Sequence, residues 1–222
     1  MDQLVEGTRR SIAAVFVLTA LLPGPFQLAG EPRQQLAGEG GEAASAAQPA
    51  DFFERLVAAG HERTRRQVRY DGAYRRIPYP MGDVPDGIGV CTDLVIRSYR
   101  AVGLDLQELV HEDMRRHFSS YPPIWGLSRP DPNIDHRRVP NLRRFFERRG
   151  ASLPISARGE DYRPGDLVTW TLPSGRPHIG LVSEVRQEGT GRRKILHNIG
   201  SGPELEDMLF RFPITGHYRF SG

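Results

Sequence analysis

Cysteine is almost missing from this sequence. Cys91 is the one thiol among 222 residues, which excludes an internal disulfide and any zinc site built on cysteine pairs. Lysine is nearly missing too: Lys194 stands alone among 30 Lys and Arg, so the formal net charge of +3 is carried by arginine. A balance that mild suits anionic partners such as cell-wall polymers, phospholipid or nucleic acid and selects none of them. The histidines also lack metalloprotease spacing, because "HEDMRRH" (111–117) is not His-Glu-x-x-His. No metal site is expected. Apolar runs are short: "SIAAVFVLTALL" (11–22) is the longest, too brief to cross a bilayer comfortably.

That run follows Arg9 and Arg10 and ends at Pro23, Gly24 and Pro25, the layout of a signal peptide or an uncleaved signal-anchor over residues 1–28. Residues 29–50, "AGEPRQQLAGEGGEAASAAQPA", contain almost nothing to bury and read as a flexible low-complexity linker. One domain is expected over 51–222, with export to the periplasm or cell envelope and membrane contact only through an uncleaved N-terminal segment. Oligomeric state leaves no mark in the sequence.

In an exported protein a single unpaired thiol stands out. "IPYPMGDVPDGIG" (77–89) carries three prolines and three glycines and must be a loop. From Thr92 onward Leu94, Val95, Tyr99 and Val102 recur at helical intervals until Gly103. Cys91 therefore falls at the first turn of a helix, where unpaired N–H groups and the dipole favour a thiolate and are expected to lower its pKa. A cysteine nucleophile needs a base and a group that orients the base. "RPGDLVTWTL" (163–172), "HIGLVSEV" (178–185) and "KILHNIG" (194–200) read as three strands of a meander, bringing His178 and His197 onto neighbouring strands. Asn198 follows His197 and points to the opposite strand face, so only one of the two can orient His178.

The words "PYPMGDVPDGIGVCTDLV", "YRPGDLVTW", "HIGLV" and "ILHNIG" resemble the NlpC-type cell-wall cysteine peptidases. That likeness implies an α+β, papain-like fold with a cysteine-bearing helix packed on an antiparallel sheet. It also implies peptide or amide cleavage in peptidoglycan stems without a cofactor. Residue by residue it makes Cys91 the nucleophile, His178 the base, His197 the orienting group and Tyr79 the tyrosine beside the nucleophile. Val90 and Asp93 stand where the family has aspartate and glycine around its cysteine, so Asp93 is an auxiliary candidate, as is Asn198. The stretch between Cys91 and His178 is longer than usual and includes "VPNLRRFFERRG" (139–150), a helix started by Pro140 and stopped by Gly150. A second likeness, through "GVCTDLVIRSYRAVGLDL", "IDHRRVPNL", "HNIG" and "ITGHYRF", is to the bacterial domain of unknown function 1287, over about residues 51–220.

Trp125, Asp131, Asp135 and Arg137 form a candidate rim for a cell-wall peptide or glycopeptide. "HERTRRQVRYDGAYRR" (61–76) reads as the solvated face of a helix starting near Asp51, and no nucleic-acid partner is expected. The leading expectation is an exported thiol peptidase or amidase acting through Cys91, His178 and His197. The alternatives are a non-catalytic envelope-binding module on the same fold and a thiol acyltransferase.

Overall fold

The computed structural model describes residues 51–222; the expected signal segment and linker lie outside the described residues. Helix α1 (Phe52–Thr64) starts where the sequence predicts, with Asp51 as N-cap. The Asp51 carboxylate accepts from Glu54 N at 2.8 Å while Glu54 accepts from Asp51 N at 3.1 Å, a reciprocal capping box. A two-residue strand β1 (Arg69–Tyr70) pairs in parallel with β2 (Ile88–Gly89), which leads directly into α2 (Cys91–Ala101). Then come α3 (Leu106–His117) and α4 (Val139–Arg148), followed by strands β3 (Leu167–Thr171), β4 (Pro177–Arg186), β5 (Arg193–Asn198), β6 (Pro203–Glu206) and β7 (Ile214–Tyr218).

The five long strands form one antiparallel sheet in the order β6-β5-β4-β3-β7. Four of them are the meander continued by one strand, and β7 returns to close the far edge beside β3. Alternation along the strands separates two cores. Leu167, Ile179, Leu181 and Leu196 face the helices, joining Leu56, Leu94, Val95, Leu142, Phe145 and Phe146. Val168, Trp170, Val182 and Ile195 face the other way, against Tyr162, Met208 and Leu209. Phe220, just beyond β7, packs into the helical core against Phe145 and Phe146, with ring centroids 5.4 and 5.5 Å away. The expected plan, a cysteine-bearing helix on an antiparallel sheet, is the fold of this chain.

Loop 77–89 is tied down at three points. Arg97 donates to Asp83 from Nε (2.8 Å) and to the Val84 carbonyl (3.0 Å). Arg100 reaches the Gly82 carbonyl (2.8 Å), and Gln107 accepts from Gly82 N (2.7 Å) while donating to the Pro78 carbonyl (2.9 Å). The loop before Cys91 is thus anchored by side chains of α2 and α3.

Candidate active site

Cys91 opens α2. Its preceding residue, Val90, has no side chain able to cap, so Asp93 reaches back and accepts from Val90 N at 2.7 Å. The same carboxylate takes both Nε (2.8 Å) and Nη2 (2.9 Å) of Arg137, and Thr92 donates its hydroxyl to the Arg137 carbonyl (3.0 Å). The Asp93 and Arg137 side chains are 3% and 2% exposed, a fully buried ion pair that fastens the start of α2 to the short turn at 135–137.

The thiol is buried against β4. Backbone N–H groups of Ile179, Thr92 and Cys91 itself point at the sulfur and favour the thiolate, yet burial outweighs them and pushes the thiol up to about 11. This corrects the expectation of a lowered pKa: the helix terminus is present, but it sits in an apolar wall and not at a wet surface. Ile179 follows His178 along β4, so the sulfur meets the strand backbone one residue from the imidazole, whose ring lies on the Trp170 face of the sheet.

His178 and His197 are brought together on one face of the sheet. His178 pairs across with Trp170, and Gly180, the next position on its face, makes room for His197. A Cβ at Gly180 would fall 2.5 Å from Ile195 Cγ2 and 3.2 Å from His197 Cβ. His178 Nε2 and His197 Nδ1 are 3.3 Å apart with the rings nearly perpendicular at 89°. His197 Nε2 then meets Glu206 Oε2 at 3.1 Å. Burial, then the neighbouring His197, lowers the His178 pKa to about 3, so this imidazole is neutral at physiological pH. His197 is lowered by burial and partly restored by Glu206. The His178 ring spends Nε2 on His197 and makes no hydrogen bond to the thiol among the described residues.

The other candidates are placed differently. Tyr79 hydrogen-bonds to Glu112 (3.0 Å) and packs edge-on to His111 at 4.8 Å, so it serves α3; the resemblance assigned it to the nucleophile. The tyrosine whose phenol feels Cys91 is Tyr70, raised to about 12 by burial and then by that sulfur. Sequence reading missed it because only the β1–β2 pairing, with Tyr70 opposite Gly89, draws it alongside. Asn198 is buried and accepts from Gly200 N at 3.2 Å, shaping the turn after β5. Asp93 and Arg137 are spent on each other as a buried ion pair at the start of α2. Asp135 is buried as well, accepting from Asp131 N (2.6 Å) and pairing with Arg138 (2.9 Å). Asp131 in turn holds Asn133 N at 2.9 Å. Of the proposed rim, Trp125 and Arg137 border a cleft of about 340 Å³ with Gly72, Tyr74, Val90 and Arg138, whose guanidinium lies 4.0 Å over the Trp125 ring. Glu206 had no sequence signal, since its role depends on β6 lying beside β5.

Comparison with known proteins places the chain. It matches the profile described as "Domain of unknown function (DUF1287)" over residues 57–220. "Uncharacterized protein YijF" of Escherichia coli (strain K12) is 51% identical over 152 residues, 68% of this chain and 73% of that protein. Among solved structures, NlpC1 from Trichomonas vaginalis aligns with a TM-score of 0.42 and 14% identity, covering 78% of this chain and 46% of that one. The chain thus spans less than half the length of that structure. With the profile running over most of the chain and a relative at half identity, this protein belongs to the DUF1287 family.

Proposed function

We propose that this protein is a thiol hydrolase that cleaves a peptide or amide bond, with peptidoglycan stem peptides as its substrate class and the cell envelope as its place of work. The observation that carries the reading is the meeting of three elements: the helix-start sulfur of Cys91 lies against the β4 backbone at Ile179, one residue from His178, and His178 Nε2 meets His197 Nδ1 on β5 at 3.3 Å. The choice of stem peptides rests on the sequence likeness to the NlpC-type peptidases.

With the thiol raised to about 11 and the imidazole lowered to about 3, both groups rest neutral and the sulfur keeps its proton. Catalysis therefore runs by general base and not from a standing ion pair. As sulfur attacks the carbonyl carbon, the S–H proton passes to Nδ1 of His178, and the backbone N–H groups at the start of α2 receive the oxyanion. Collapse expels the amine, which takes that proton, and leaves a thioester on Cys91. Water, deprotonated by His178, then attacks the thioester carbon; the C–S bond breaks, the sulfur takes the proton back from His178, and the acid leaves.

The test is mass spectrometry of purified muropeptides incubated with wild type, Cys91→Ala and His178→Ala. New fragments with the wild type alone are expected. Intact muropeptides in all three samples, or equal cleavage by Cys91→Ala, would sink the reading.

A further inference from the structure

We infer that Glu206 is a positioning residue of this site, setting the direction of the hydrogen bonds that run through both histidines. This rests on the thiol-hydrolase reading and adds to it a residue that neither the sequence motifs nor the likenesses supply.

Two neutral imidazoles in a row are ambiguous by themselves, because each has one N–H and one lone pair and the pair can point either way. If His197 carries its proton on Nδ1, it donates to His178 Nε2. His178 must then be protonated on Nδ1, where it cannot accept a proton from the thiol. If His197 carries its proton on Nε2, its Nδ1 accepts from His178 Nε2–H, and His178 Nδ1 is left as a base. The carboxylate of Glu206, 3.1 Å from His197 Nε2, accepts only, and so selects the second arrangement. Its negative charge also favours the imidazolium that forms when the thiol proton arrives.

The fold supplies this geometry from the strand register. Glu206 pairs with Ile195, and side chains at Ile195 and His197 share a face, so Glu206 is the diagonal neighbour of His197. Glu204, directly across from His197, is the other acid on that face, but its carboxylate makes no hydrogen bond to the ring among the described residues. Arg211 stands 3.9 Å from Glu206 and its charge opposes protonation of His197, while Asp93, Tyr70 and Arg176 are the titratable and charged groups felt near the thiol end. Glu206 is 37% exposed on an edge strand, so replacing it leaves both cores intact.

The experiment uses the full chain and Glu206→Gln, which keeps size and removes charge. Two readouts are taken: histidine ¹⁵N chemical shifts, which report the protonated nitrogen of each ring, and the rate of Cys91 alkylation by iodoacetamide against pH. Wild type is expected to hold Nε2–H on both rings. In Glu206→Gln the Nδ1–H form of His178 should appear, and alkylation at neutral pH should slow by about 10- to 100-fold, the loss of one charge-assisted hydrogen bond. The thermal midpoint should stay unchanged. If either the tautomers or the rate profile matches wild type, Glu206 does not position the site. A separate control distinguishes the underlying reading: a rate profile unmoved by His178→Ala removes the base itself, whatever Glu206 does.

Discussion

Replacing Arg137 by methionine should unfold this protein more readily than any surface change, and the reason lies in where its partner is left. Arg137 gives Asp93 two charge-assisted hydrogen bonds, at 2.8 and 2.9 Å, in a site where both side chains are at most 3% exposed. Arg137→Met keeps much of the side-chain volume but strands a carboxylate beside the helix start, with only Val90 N remaining as donor. Breaking one side of a buried pair costs about 3–5 kcal/mol. For a domain of this size that corresponds to a drop of roughly 6–20 °C in the thermal midpoint. By contrast the Arg65–Glu62 pair, 73% and 60% exposed, should cost about 0.5 kcal/mol or less when cut. The double variant Asp93→Asn with Arg137→Met removes both charges and keeps an acceptor for Val90 N, so it should recover at least half of the loss. Urea unfolding of the four proteins of this cycle, followed by circular dichroism, gives the numbers. A cost for Arg137→Met as small as that of the surface pair, or a double variant weaker than the single, would show that the clamp is not what holds the start of α2.

Three further outcomes follow from the same geometry. His178 and His136 are each lowered to about 3 by burial, from 6.5, so the unfolded chain binds more protons between those values. Stability should therefore be fully present above pH 6.5 and fall as pH drops toward 3, by up to about 1.4 kcal/mol per pH unit for each histidine, and His136→Asn should flatten that slope in acid titrations of unfolding. A profile flat from pH 7 to 4 in the wild type would contradict it. Gly180→Ala places a methyl group 2.5 Å from Ile195 Cγ2 and close to His197, which should cost about 1–3 kcal/mol in denaturant melts and separate the two imidazoles; a variant as stable and active as wild type would show the space was not needed. His197→Ala should slow turnover far more than Asn198→Ala, whose side chain only closes the turn to Gly200; the reverse ranking in kcat would transfer the orienting role to the asparagine.

Periodicity and turn residues carried much of the architecture. Leu94, Val95, Tyr99 and Val102 marked α2, Pro140 and Gly150 bracketed α4, and three β-rich runs separated by Pro-Ser-Gly and Gly-Thr-Gly turns became β3, β4 and β5. Residues 106–117 did not declare a helix as clearly, because "HEDMRRH" is polar around much of its circumference and α3 buries only a narrow stripe, Leu106, Val110 and Met114 among it. Local signals also sufficed to place Cys91 at a helix start and His178 and His197 on neighbouring strands. Residues defined by partners far away in sequence were not legible. Arg137 reads as one more exposed arginine until Asp93, 44 positions earlier, is placed beside it, and Glu206 reads as one more edge-strand acid until His197 arrives. The thiol pKa failed for a related reason: helix position is a local property, whereas burial belongs to the assembled core.

The returning strand β7 has a consequence for the order in which this protein can be completed. During synthesis β3 to β6 can assemble as soon as they are made, but the outer edge of β3 stays unpaired until residues 214–218 appear. The helical core waits as well, since Phe220 fills the space beside Phe145 and Phe146, and the Tyr99 hydroxyl donates to the Phe220 carbonyl at 2.9 Å. Arg219, 3.5 Å over the Phe53 ring, ties that segment to the first helix. A nascent chain lacking these residues carries an open sheet edge and an unfilled aromatic hole, the two features that invite association with other chains. Until residues 214–220 are in place, the edge of β3 and the aromatic hole in the helical core both stay open.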